Sequence, residues 1–112
     1  WDGKDGGFWY WGWFRQPASG RSKSWWVQSE VLVSALTMHK LTHDPLYLEV
    51  FEKTWKFVDK HHIDRKAGEW WETVDERLRP SGNKAHAWKG GYHNGRAMIE
   101  AIALIESLGA SK

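Results

Sequence analysis

Cysteine is absent from the 112 residues, which excludes disulfides, thiolate nucleophiles and every cysteine-ligated zinc site and leaves the redox compartment open. Long apolar runs are absent too. Nothing approaches the roughly 18 consecutive apolar residues of a membrane span, and no basic start followed by a short apolar run marks a signal peptide. The chain is therefore expected to be soluble, with no membrane partner. Charge of one sign is scarce: 16 Lys+Arg stand against 14 Asp+Glu, a net charge of +2, which supplies no basic field for nucleic acid. Between Trp25 and about Leu41 neither proline nor glycine occurs. Hydrophobic residues at 41% and charged residues at 27% belong to a globular chain, not a disordered one.

Tryptophan, by contrast, is abundant, at ten residues. Indole is large, seldom fully buried and in need of a partner for its N–H, so a domain this small cannot hide ten of them. Some are expected to face a ligand or a missing partner. The chain also opens at Trp1 inside a turn-like stretch, Asp2-Gly3-Lys4-Asp5-Gly6-Gly7, which suggests a fragment or a processed product.

Residues 7–14 are aromatic with interspersed glycines and predict a strand or hairpin arm, followed by a loop from Arg15 to Ser24. A first helix is expected over about 25–41, where no Gly or Pro interrupts and apolar residues fall on most sides, so that it is covered all round. Asp44 as N-cap and Pro45 at the first helical position start a second helix, about 45–61. Leu48, Phe51, Trp55 and Val58 form its apolar stripe, and Glu49–Lys53 and Glu52–Lys56 pair on its wet face. A third helix, about 92–108, is again apolar on most sides and stops before Gly109; Gly95 in its first turn implies close approach of a backbone or a ligand. Between the second and third lie about thirty residues with a short aromatic strand over 69–74, a length that usually serves function. The alternation of buried and amphipathic helices predicts a curved two-layer helical array rather than an independent three-helix bundle.

Chemistry concentrates in Trp88-Lys89-Gly90-Gly91-Tyr92-His93-Asn94-Gly95-Arg96. It sets an imidazole, suited to moving protons near neutral pH, at the opening turn of a helix among aromatic neighbours; His93 is either that acid/base group or a structural helix cap. Trp25-Trp26-Val27-Gln28-Ser29-Glu30 places Trp26 and Glu30 on one helix face. A carboxylate on so apolar a helix is either used or paired, with Arg96 as candidate partner. Aromatic rings beside polar groups suit a sugar, whose C–H faces stack on indole while its hydroxyls need hydrogen bonds, and Trp9, Trp11, Trp13, Trp70, Trp71 and Trp88 supply rings beyond those a core needs. His39 and His43 lack the carboxylate that would complete a metal site, so no metal is expected. His61 and His62 fit a helix-dipole role. Glu69 and Glu72 point to opposite faces of a strand, which is poor geometry for a glycosidase pair.

Four separated motifs, Trp25-Trp26-Val27-Gln28-Ser29-Glu30, Asp44-Pro45-x-Tyr47-Leu48, Ile63-Asp64-Arg65 with Gly68-Glu69-Trp70, and Trp88-Lys89-Gly90-x-Tyr92-His93-Asn94-Gly95-Arg96, resemble in order and spacing the C-terminal part of the N-acylglucosamine 2-epimerase superfamily. They are most similar to its cellobiose 2-epimerase branch. The resemblance implies an all-α fold, the C-terminal segment of an (α/α)6 barrel with short aromatic β-hairpins in its loops, with residues 1–112 one partial barrel domain. It implies epimerisation at C2 of a reducing-end sugar through a cis-enediol, with no redox cofactor, and a cytoplasmic location. His93 matches one of two histidines that exchange the C2 proton; Trp88 and one of Trp25 and Trp26 would hold the sugar, and Glu30 and Arg96 match motif positions. The second histidine belongs to upstream helices, so the remainder of the barrel is the implied partner and these residues alone are expected to be inactive. The alternatives are a related mannose or N-acylglucosamine epimerase or aldose–ketose isomerase, a non-catalytic carbohydrate-binding module, and a glycoside hydrolase on the same barrel.

Overall fold

A computed structural model describes residues 1–110. Helix α1 (Trp25–Thr42) lies at its centre, with α2 (Pro45–Phe57) and α3 (Asn94–Ala110) both packed against it. Local chemistry sets the α1–α2 corner. His43 adopts the left-handed conformation (φ 59°) and donates its N–H to the His39 carbonyl at 2.8 Å, closing α1. Asp44 then accepts the Leu46 N–H at 2.9 Å and Pro45 begins α2. The chain widens into a π-helical turn over Val58–His62, which buries Val58 and His62 together.

Short strands feed this helical frame. β1 (Trp11–Gly12) and β2 (Ala18–Gly20) form an antiparallel hairpin. β3 (Lys23–Ser24), β4 (Thr73–Val74) and β5 (Pro80–Ser81) form a second antiparallel sheet, in which Ser24 pairs with Thr73 and Val74 with Pro80. Because β3 runs straight into α1, this sheet fixes where α1 begins, and the Trp25 N–H donates to the Glu72 carbonyl at 2.9 Å. Trp25, Leu32, Val58 and Trp70 form the core, with Phe51, Trp55, Ile63 and Met98 against it.

The N-terminal loop is fastened from within. Lys23 is buried and donates to Asp2 (2.7 Å) and to the Gly6 carbonyl (2.6 Å). Gln28, also buried, accepts the Phe8 N–H and donates to its carbonyl, as a neighbouring strand would. Gly6 sits at φ 83° against the Lys53 carbonyl, where no side chain fits.

Several expectations need correction. The aromatic arm over 7–14 is strand only at Trp11–Gly12. The strand expected over 69–74 shrinks to Thr73–Val74 plus a single bridge from Trp70 to Ile63, because Glu69 turns into the left-handed region (φ 65°) where its N-terminal loop closes. α1 is not covered all round: Trp26 and Leu41 are exposed, since among the described residues two helices flank it and no third does. α3 buries Asn94, Ala97 and Ala101, whereas Ile99, Ile102 and Ile105 are exposed, because α1 covers one stripe only. Nothing among the described residues lies within 4 Å of the position a side chain at Gly95 would take. His62 does not serve a helix dipole; it is fully buried, its Nδ1 donating to the Trp71 carbonyl at 2.9 Å. No helix among the described residues is long and apolar enough to cross a membrane.

Candidate active site

The N-termini of α1 and α3 meet, and the two singled-out motifs meet with them. His93, just ahead of α3, directs Nδ1 at the Glu30 carboxylate of α1, 2.8 Å away. A carboxylate only accepts, so the imidazole proton sits on Nδ1 and the lone pair on Nε2. Arg96, in the first turn of α3, donates to the same Glu30 oxygen and, at 3.0 Å, to Glu100. Partial burial works to raise the Glu30 pKa, yet the hydrogen bonds from His93 and Arg96 outweigh it, and the carboxyl lies below its ordinary value. Hydrogen bonding to Glu30 and Glu100 raises that of Arg96. The pairing alternative for Glu30 is the one seen: it accepts from Arg96 and, on the same oxygen, from His93.

Rings enclose the imidazole. Tyr92 packs edge-on at 4.9 Å, Trp25 edge-on at 6.1 Å and Trp26 tilted at 5.8 Å. Trp25 is buried, with an indole N–H that has no partner among the described residues, while Trp26 is 37% exposed. Beside them opens a cleft of about 350 Å³ lined by Tyr10, Trp25, Trp26, Glu72, His86 and Trp88. Trp88 is 85% exposed, a ring standing free at the mouth. The remaining candidates are dispersed. Trp70 is core, Trp71 lies under Lys84, Trp9 lies against Lys23, and Trp11 and Trp13 line a second cleft. His39 binds the Asp44 carbonyl at the α1–α2 corner.

Sequence reasoning missed two participants. His86 hydrogen-bonds Glu72 at 2.8 Å and stacks edge-on to Trp25 at 6.0 Å, and Tyr10 meets Trp26 edge-on. The signal for His86 is its position two residues before Trp88 in an irregular loop; Glu72 pairs with it because the segment over 69–72 is not the regular strand that alternation alone suggests. Glu69 also has a structural task, accepting from Asn94 at the start of α3 at 2.6 Å.

A family model described as N-acylglucosamine 2-epimerase (GlcNAc 2-epimerase) matches residues 1–97. The chain belongs to this family. Among the family's curated proteins, the cellobiose 2-epimerase of Dictyoglomus turgidum is 34% identical over 87 residues, 76% of this chain and 22% of that protein. Among solved structures, the cellobiose 2-epimerase from Spirochaeta thermophila superposes with a TM-score of 0.75 at 35% identity, covering 80% of this chain and 23% of that one. A D-mannose isomerase superposes with a TM-score of 0.84 at 32% identity, covering 92% and 27%. The chain spans about a fifth of the length of the curated relatives it matches.

Proposed function

We propose that the protein carrying this chain is a sugar 2-epimerase that acts on the reducing-end glucose of a β-1,4-linked disaccharide such as cellobiose. In this reading residues 1–112 are the C-terminal part of an (α/α)6 barrel, and the upstream helices form the rest of the wall. The uncovered isoleucines of α3 and the short span relative to the family's proteins support it. The observation that carries the function is the orientation of His93, with Nδ1 tied to Glu30, the lone pair left on Nε2, and the ring packed against Trp25 and Trp26, which line an aromatic cleft.

His93 Nε2 takes the proton from C2 of the open-chain aldose as the C–H electrons form the C1–C2 double bond and the carbonyl π pair moves onto O1, giving the ionised form of a cis-enediol. A second group on the other face, in its protonated form, gives a proton to C2 as the O1 electrons reform the C1 carbonyl and the C1–C2 double-bond pair takes that proton, and the configuration inverts. Glu30 holds the tautomer and steadies the imidazolium that forms, and Arg96 fixes Glu30. Trp88 and Trp26 stack on the sugar, and the unpartnered indole N–H of Trp25 suits a hydroxyl. Since the second base lies upstream, the 112-residue chain by itself turns over no substrate. The same base chemistry serves aldose–ketose isomerisation, which the likeness to a D-mannose isomerase favours as the second reading. In the full-length protein, His93→Ala is expected to abolish deuterium uptake at C2 of cellobiose from heavy water; retained exchange refutes the role of His93. Product analysis separates a C2 epimer from a ketose.

A further inference from the structure

His86 makes two contacts that no catalytic role accounts for. Its Nε2 meets Glu72 Oε1 at 2.8 Å, so that nitrogen carries the proton, and its Nδ1 accepts the backbone N–H of Trp88 at 3.2 Å. Both ring nitrogens are thereby used. The turn they close is tightened by paired backbone bonds between His86 and Lys89, at 3.2 and 3.0 Å. Glu72 is itself held, accepting the Asn83 N–H on its other oxygen at 3.1 Å, while its carbonyl accepts the Trp25 N–H at the start of α1. Burial acts to raise the Glu72 pKa, but the bonds from His86 and Asn83 prevail and lower it. Trp88, by contrast, has an indole that stands 85% exposed, so among the described residues its position is set chiefly through its backbone.

The geometry points to His86 and Glu72 as a positioning pair that fixes Trp88 relative to Trp25 and Trp26, so that its exposed indole is a pre-set platform for the apolar face of a sugar. A stacking ring whose backbone is already ordered loses less freedom when the sugar arrives, so the pair acts on sugar affinity and not on proton transfer. This rests on the sugar-epimerase reading for the identity of the ligand, but the backbone clamp is observable without turnover.

Three substitutions separate the two contacts in the full-length protein. Asn places an acceptor where Nδ1 lies and closes an Asx turn onto the N–H two residues on; Gln keeps a donor near Nε2 and loses that acceptor; Ala loses both. His86→Ala and His86→Gln are expected to raise KM for cellobiose about tenfold with kcat within about threefold, and His86→Asn to recover most of the loss. Trp88→Ala alone should match His86→Ala, and the double variant should be no worse than Trp88→Ala, because both remove one platform. Additive effects in the double variant, an unchanged KM in His86→Ala, or a failure of Asn to rescue overturns the proposal. Amide exchange of the 84–90 segment, followed by mass spectrometry, gives a readout independent of activity. Exchange at Trp88 should accelerate in His86→Gln and not in His86→Asn, and equal rates overturn the clamp. If the wild type shows neither exchange at C2 nor turnover, the epimerase reading fails, and cellobiose affinity measured by calorimetry on the same variants decides the platform.

Discussion

Replacing Glu30 by Gln tests the assignment of His93 most sharply. In the native arrangement one carboxylate oxygen receives both the His93 Nδ1–H and the Arg96 guanidinium. Gln offers a single acceptor oxygen. Arg96, always charged and donor-only, takes it, and the amide NH2 is left facing Nδ1. The imidazole must then accept on Nδ1 and carry its proton on Nε2, the wrong tautomer for removing a proton from carbon. Loss of a hydrogen bond to a charged group is worth about 1.5–3 kcal/mol, or about 10- to 150-fold in rate, and inverting the tautomer in a carboxylate–imidazole pair lowers kcat by up to about 10⁴. The expected fall in kcat of the full-length protein is therefore about 10²- to 10⁴-fold. KM should move less than about threefold, since Glu30 stands behind the imidazole and away from the sugar. The assay is deuterium incorporation at C2 in heavy water, with His93→Asn measured beside it. A Glu30→Gln protein whose kcat stays within about threefold of wild type refutes the argument that Glu30 sets the state of His93.

Burial depresses the His62 imidazole from 6.5 to about 4. Its folded pKa lies below the unfolded one, so its contribution is complete above about 6.5 and is lost as pH falls towards about 4, by about 3 kcal/mol in all; urea midpoints at pH 7.5 and 4.5 should converge less in wild type than in His62→Gln, and an identical pH response refutes this. Leu32→Ala, at a fully buried core position, should destabilise the protein by about 2–5 kcal/mol in chemical denaturation. Asp44→Ala removes the acceptor for the Leu46 N–H and should cost about 1 kcal/mol with no change in sugar turnover; a loss of turnover without a loss of stability contradicts a purely capping role.

Local chemistry was readable from the residues. Asp44-Pro45 announces α2 because an N-cap and a first-turn proline act within one turn, and α2 begins at Pro45. The meeting of Glu30 with Arg96, 66 positions apart, was open to inference because a carboxylate on an apolar helix demands a partner. The pairing of His86 with Glu72 was not, since it joins two irregular segments 14 positions apart with no periodicity to follow. The apolar pattern of α3 told which residues shun water but not what covers them, and within these residues only the stripe facing α1 is covered. The π-helical turn after Phe57 left no mark either, because it answers to the joint burial of Val58 and His62, a tertiary demand.

The fastening of the N-terminal loop has a bearing on how the protein is made. Asp2 waits for Lys23, Phe8 for Gln28, and Gly6 for the carbonyl of Lys53 on α2. At a synthesis rate of about 5–20 residues per second, these residues are made from about one to several seconds before their partners are. Until then the loop lacks the partners that fasten it, and the fastening is complete only once α1 and α2 have followed it.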